Sequence, residues 1–220
     1  HALRIAVELG DWSSVVDQVT GLAATAAAEA QEREAERLYA RAIALARMVD
    51  APLFLCDSLH QLAKLRLGQR RLEEAERLNQ EALEVADRSN ERDIQVRARL
   101  LSLHLQVTSG RTGTDAAMGR LRALEGTWVE PQERARLLDA LWQLDPGQEA
   151  AREAAAELYR TLYEQAPSIE YREAYARLTG ATLPPGPPLP PLPDELEQEV
   201  GDVDALLRQV DEVSVQLGAG

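Results

Sequence analysis

Residues 35–46 read AERLYARAIALA and residues 75–86 read AERLNQEALEVA. Ala35-Glu36-Arg37-Leu38 and Ala75-Glu76-Arg77-Leu78 are identical at a distance of forty residues. Beyond them Ala42 meets Ala82, Ile43 meets Leu83, Leu45 meets Val85 and Ala46 meets Ala86. Upstream, Leu22-Ala23 meets Leu62-Ala63 and Val19 meets Leu59, so the repeating piece is longer than one helix. A self-similar period of this length marks an array in which each unit covers the apolar face of the next. Eighty residues further on, Leu158-Tyr159 falls against Leu38-Tyr39 and Ala155 against Ala35. The copy between them is degenerate: Met118 takes the leucine position, but Asp115 stands where the small residue belongs. Alanines at fixed places let paired helices approach while Leu, Ile and Tyr interdigitate around them.

Composition agrees with a helical chain. Only 4% of the residues are aromatic, with Phe54 the single phenylalanine. Ala, Leu, Glu and Arg dominate, and all four are strong helix formers. No stretch alternates apolar and polar residues long enough to predict a strand. The periodicity places helices near 2–10, 13–30, 32–48, 52–69, 71–88, 91–108, 114–126, 131–144, 147–166, 168–179 and 194–217. Pro52, Pro131 and Pro146 sit where a first-turn proline is tolerated, and Asp145 with Gln148 three residues on predicts an N-cap. Ser109-Gly110-Arg111-Thr112-Gly113-Thr114 reads as a loop, irregular or mobile.

The repeat resembles the tetratricopeptide family. In the second unit Leu59, Leu62-Ala63, Leu72, Ala75 and Ala82 match that family's small-residue positions and spacing; in the first, Leu22-Ala23, Ala35, Tyr39 and Ala42 do. The forty-residue period is similar to the longer variant found in bacterial signalling and regulatory proteins. Two positions depart: the family's first-helix glycine is alanine in both units, and its first-helix tyrosine is Ala26 and Arg66. Matching is good over residues 15–88 and weaker to about residue 178. The resemblance implies an all-α, right-handed solenoid of antiparallel helical hairpins over residues 1–183. It also implies that the first helix of each unit lines a groove, with Asp57, His60 and Lys64 pointing inward. On the same step Arg97, Leu100 and His104 join them. A mixed polar groove of this kind suits an acidic or amphipathic peptide. The family's carboxylate clamp uses asparagines with basic residues. Here only Asn79 and Asn90 occur, neither at an inner first-helix position, so that clamp is not expected.

Residues 184–193, PPGPPLPPLP, hold seven of the eleven prolines, which excludes helix and sheet and predicts a stiff polyproline II spacer. The segment contains PxxP, a pattern that SH3-like domains bind, but the spacer reading is preferred. Residues 194–220 then carry an amphipathic pattern: Leu196, Val200, Val203, Leu207 and Val210 alternate by four and three, and Val213 and Leu217 continue the stripe. From Asp194 onward there are eight acidic residues against Arg208 alone, so the tail carries −7 of the net −13. Such a helix must bury its seam. It can fold back on the repeats, cap their end, or pair with a second copy as a homodimer. An acidic helix folding back toward Lys64 and Arg97 would compete with a partner there, and deleting residues 194–220 would then change partner affinity.

The acidity argues against a nucleic-acid surface, which needs clustered Lys and Arg. Lys64 is the single lysine. Cys56 is the single cysteine, so no intramolecular disulfide can form, and its place in LFLCDSL reads as a buried structural thiol. No apolar run approaches the ~20 residues of a membrane span, and no signal peptide is visible, which points to the cytoplasm. The first residue is His1 and not methionine, as in a piece of a longer chain. His60 and His104 have no metal-spaced neighbours, and no HExxH, CxxC, GxxxxGK[ST] or GxGxxG occurs; neither metal nor cofactor is expected. Carboxylates such as Glu73 lie within about a helical turn of arginines such as Arg77, which is helix support and not acid–base catalysis. The expected function is a non-enzymatic protein-interaction scaffold, its regulatory character being implied by the resemblance alone. Two alternatives stay open: a sensor enclosing a small ligand or signalling peptide, and a self-associating structural protein that pairs through its tail.

Overall fold

The computed structural model describes residues 2–124, 127–128, 130–185, 205–210 and 212. Among them every regular element is a helix, and neighbouring helices pack in sequential pairs, as an all-α array of hairpins requires. Two compact units form, His1–Ala98 with Pro191–Gly220, and Arg99–Pro190.

The first unit runs on a clock of twenty residues. After α1 (Ala2–Leu9) come α2 (Trp12–Ala28), α3 (Glu32–Met48), α4 (Pro52–Gly68), α5 (Leu72–Ser89) and α6 (Arg92–Thr108), each starting twenty residues after the last from α2 onward. The turn that follows each of these helices is one device, and its sixth copy, after α6, falls in the second unit. Gly10, Ala30, Asp50, Arg70, Asn90 and Gly110 all adopt the left-handed conformation, with φ between 51° and 74°. The next residue then donates its N–H back to the carbonyl five positions earlier: Asp11 to Ala6, Gln31 to Ala26, Ala51 to Ala46, Arg71 to Arg66, Glu91 to Ala86 and Arg111 to Gln106, at 2.9–3.0 Å. That bond satisfies a carbonyl the helix end would leave open and reverses the chain within a few residues. Forty residues is therefore two helices and two turns.

Only two of those six positions are glycine, although an L side chain in this conformation is strained by roughly 1–2 kcal/mol. Asp and Asn tolerate it better than Ala or Arg. Ala30→Gly and Arg70→Gly should therefore each stabilise the protein by about 0.5–1 kcal/mol, read as a higher urea midpoint. A lower midpoint for both would show that the turns are not held as described.

The alanine seam carries the packing. Ala23, Ala35, Ala42, Ala46, Ala63, Ala75, Ala82 and Ala86 are wholly buried. Val15, Val16, Val19, Leu45 and Leu59 fill the space between the helix axes that these small residues bring together. Helix α4 packs on both α3 and α5 and also meets α2, so its buried residues Cys56, Ser58, Leu59, His60, Leu62 and Ala63 wrap more than one face. Pro52 opens it at the first turn, where the missing N–H leaves no helix bond unmade. Burial pushes the Cys56 thiol up to about 11, and its hydrogen points to the Leu53 carbonyl at 3.2 Å. This thiol is inert packing, as its sequence setting predicts. Asn79 stands where the forty-residue step places Tyr39. It is buried, and its side-chain amide donates to the Ala98 carbonyl at 2.8 Å, tying α5 to α6.

The second unit takes the end of α6, then α7 (Thr114–Leu124), α8 (Pro131–Leu144), α9 (Glu149–Gln165) and α10 (Ile169–Thr179). Ala155 and Tyr159 are buried on α9 just as Ala35 and Tyr39 are on α3, which gives physical content to the sequence match between them. The 109–114 loop is irregular and hydrogen-bonded: the Gln106 side-chain oxygen accepts from Thr112 Oγ1 at 3.2 Å and Arg120 Nη1 at 3.0 Å. One boundary differs from expectation. Asp145 is not an N-cap; it ends α8, and α9 begins only at Glu149 with Gln148 preceding it. The reason is local. The Asp145 carboxylate accepts from the Gly147 N–H at 3.0 Å and from Gln148 Nε2 at 2.8 Å, closing a turn over Pro146 that competes with helix.

Of the proline-rich segment, Pro184 and Pro185 are described and non-helical, and Tyr163 donates its hydroxyl to the Pro184 carbonyl at 2.7 Å. In the tail, residues 205–210 are helical. Leu207 and Val210 are buried within the core of the first unit, with Leu206 packed against it. The tail's seam thus returns to its own chain at these positions. Leu196, Val200 and Val203 lie outside the described residues. No described helix is long and apolar enough to cross a membrane.

Candidate functional site

Asp57, His60 and Lys64 lie on α4 at intervals of three and four, the spacing of one helix face. Arg97, Leu100 and His104 repeat that spacing on α6. Arg97 belongs to the first unit; Leu100 and His104 lie in the second.

Asp57 and Arg97 are brought together. Arg97 Nη2 sits 2.8 Å from Asp57 Oδ1, and its Nε lies 2.9 Å from Asp93 Oδ2. The guanidinium is 14% exposed and holds α6 against α4, so this cation already has carboxylate partners within the fold. His60 is buried at 4% exposure and does not reach the surface; Lys64 is exposed. The exposed charge on the α4 line is therefore Lys64, with half-buried Asp57 about two turns before it. Between α2 and α4 a second polar rung is fully buried. Thr20 Oγ1 donates to the Val16 carbonyl at 2.8 Å, which leaves Ser58 to donate to Thr20 across the other 2.8 Å contact.

Leu100 and His104 are half-buried. Burial lowers the His104 pKa from its usual 6.5, because desolvation penalises the imidazolium. A depressed histidine pKa means that the unfolded chain binds the proton more readily. Its contribution is thus present above pH 6.5 and is lost as the pH falls through the folded value. His104→Gln should flatten the decline in urea midpoint between neutral pH and about pH 5, and an equally steep decline in the variant would contradict this.

Two polar clusters carry no motif and escape a reading based on apolar periodicity. The first gathers around Arg66 of α4. Arg66 pairs with Glu36 of α3 and lies 3.4 Å from Glu74 of α5, while Gln69 Nε2 donates to Glu36 at 2.6 Å. The Arg66 hydrogen bond, then that of Gln69, holds the Glu36 carboxyl below its usual value. One arginine on α4 thus ties both flanking helices. The second cluster belongs to the second unit. There α8 and α10 are bridged by Tyr171 to Gln132 at 3.1 Å, Arg136 to Glu170 at 2.9 Å and Arg177 to Asp139 at 2.5 Å. Asp139 is buried and also accepts from Gln143 Nε2 at 2.8 Å and from the Tyr159 hydroxyl at 3.4 Å. Burial, then the Asp139 charge, raises the Tyr159 phenol far above its usual value, so it serves as a neutral donor. Glu133, Arg136 and Asp139 occupy one stripe of α8 in three-residue steps and are all buried, which their spacing alone does not announce.

These clusters brace helices; among the described residues no group of three or more His, Cys, Asp or Glu is placed to hold a metal. The geometry defines the class, an all-α protein of stacked helical hairpins. Neither the models of known protein families nor the curated proteins contain a match to the sequence.

Proposed function

We propose that the protein is a non-enzymatic protein-interaction scaffold of the tetratricopeptide type, working as a regulatory module. The observation that carries this reading is the twenty-residue clock of helices and identical turns, which presents equivalent surface positions at a constant step. Such a ladder suits an extended or helical peptide, because each rung meets the next piece of the ligand. On the first unit the line that meets solvent runs from Asp57 to Lys64 on α4. The large apolar side chains Leu9, Met48 and Leu53 are also exposed, at the end of the stack where α1 and α3 finish and α2 and α4 start. Lys64 lies toward the other end of α4 from these apolar groups, and a cation and an apolar cluster about three helical turns apart favour an acidic or amphipathic peptide long enough to span them. Arg97 contributes by holding α6 in place and is not expected to be the residue that binds the ligand's charge. Cytoplasmic work among protein partners is the setting this reading implies.

The test is affinity capture from lysate with the full chain and with Lys64→Glu, side by side. A protein retained by the first and lost by the second supports the reading. Equal capture by both places any binding elsewhere and contradicts the α4 line.

A further inference from the structure

We infer that the face of α1 bearing Ala2 and Ile5 is a docking site for the first helix of another hairpin of this repeat class, carried by a partner protein. The inference goes beyond the peptide reading of α4 and does not rest on Lys64.

Helices α1, α3 and α5 share one register. Gly10, Asp50 and Asn90 follow them in the left-handed conformation, and the next residue donates back to Ala6, Ala46 and Ala86 respectively. That shared bond makes Ala2 equivalent to Ala42 and Ala82, and Ile5 equivalent to Leu45 and Val85. The sequences agree: Ala2-Leu3, Ala42-Ile43 and Ala82-Leu83 stand at the same distance before Ile5-Ala6, Leu45-Ala46 and Val85-Ala86.

Burial then sets α1 apart from the other two. Leu3 and Ala6 are buried, as Ile43 and Ala46 are, on the side with which α1 packs on α2. Ala42 and Ala82 are wholly buried, and Leu45 and Val85 are only 1% and 6% exposed. Ala2 is exposed, and Ile5 is 42% exposed. Helix α3 packs on α2 before it and α5 on α4 before it, whereas α1 packs on α2, which follows it. The open position on α1 is therefore the one that a preceding helix covers on α3 and on α5. An apolar position filled twice within one chain and open at the third is a packing site without its occupant.

The chemistry of the occupant is read from α2 and α4. Val19, Leu22 and Ala23 on α2 and Leu59, Leu62 and Ala63 on α4 share one pattern, an aliphatic residue followed three and four positions on by Leu-Ala. Val19, Ala23, Leu59 and Ala63 are wholly buried. The alanine lets the two axes approach, and the aliphatic side chains fill the space on either side of it. A helix with this pattern fits α1 as α4 fits α5. A second folded copy of this chain cannot supply it from α2 or α4, because there the pattern is already buried.

The probe is a fluorescent peptide of residues 51–69, the α4 sequence, and the receptor is the full-length chain. The wild type should bind it saturably. Full-length Ile5→Glu should bind it at least about ten-fold more weakly, since a carboxylate would enter the contact unpaired. Ile5 is exposed in the free protein, so the melting temperature of this variant should stay within about 3 °C of the wild type. A larger fall makes Ile5 part of the core and overturns the inference. A probe carrying Leu59→Glu should also lose at least about ten-fold against the wild type, which decides the matter without any receptor variant. Full-length Lys64→Glu should bind the unaltered probe as the wild type does, so this inference and the α4 reading fail separately. No binding by the wild type overturns the inference, as does equal binding by Ile5→Glu or of the altered probe. A wild-type mass that doubles with concentration, an increase abolished in Ile5→Glu, assigns the face to a second copy and overturns the proposed partner.

Discussion

Arg177→Met should destabilise the second unit by about 2 kcal/mol, leaving the Asp139 carboxylate buried at 4% exposure without its guanidinium. Breaking a fully buried pair commonly costs roughly 3–5 kcal/mol, and two features reduce it here. Arg177 is itself 48% exposed, so much of its charge stays solvated in the folded protein. Gln143 and Tyr159 also still donate to the carboxylate. The partner variant gives the sign. Asp139→Asn combined with Arg177→Met should recover part of the loss, because no unpaired charge is then left inside. Urea denaturation of the four proteins of this cycle measures the coupling directly. A double variant as unstable as the sum of the singles would show that Arg177 and Asp139 do not act together.

Ala75→Leu should destabilise the first unit by roughly 1–3 kcal/mol, a fall of several degrees in melting temperature for a chain of this size. Ala75 is wholly buried on α5, the helix packed on α4, where Ala63 is likewise wholly buried. Three extra carbons cannot be placed without moving one helix axis or forcing side chains off their rotamers. Arg77→Ala, two residues along on the exposed side, is the control and should change stability by no more than about 0.5 kcal/mol. An unchanged melting curve for Ala75→Leu would refute the seam.

The helices and the seam were legible because they obey periodicity. Ala35 and Ala75 repeat at forty residues, and both are buried without remainder. The turns were less so. Their left-handed positions carry Ala30, Asp50 and Arg70 as well as glycine, so no composition signal marks them; the shared feature is a backbone hydrogen bond. Asp145 misled for a related reason: one carboxylate with a Gln three residues on suits either a cap or a turn, and Pro146-Gly147 decides for the turn. The groove line was placed from its spacing, yet spacing cannot say which members reach water. His60 is buried by the crowding of α4 between its neighbours, and Arg97 is drawn to Asp57 and Asp93. The polar clusters around Glu36 and Asp139 were invisible because their members come from separate helices, far apart along the chain. In sequence each is only another charged residue on a helix.

The scaffold reading turns on whether a partner lies along α4, and the composition offers an unusually direct probe. Lys64 is the only lysine in the chain, and it is exposed. An amine-reactive crosslinker applied to the captured complex can therefore attach to this protein only at Lys64 or at its amino terminus. The account predicts that peptide mapping finds the partner joined to Lys64. A partner captured intact but joined only at the amino terminus, or not at all, would contradict it.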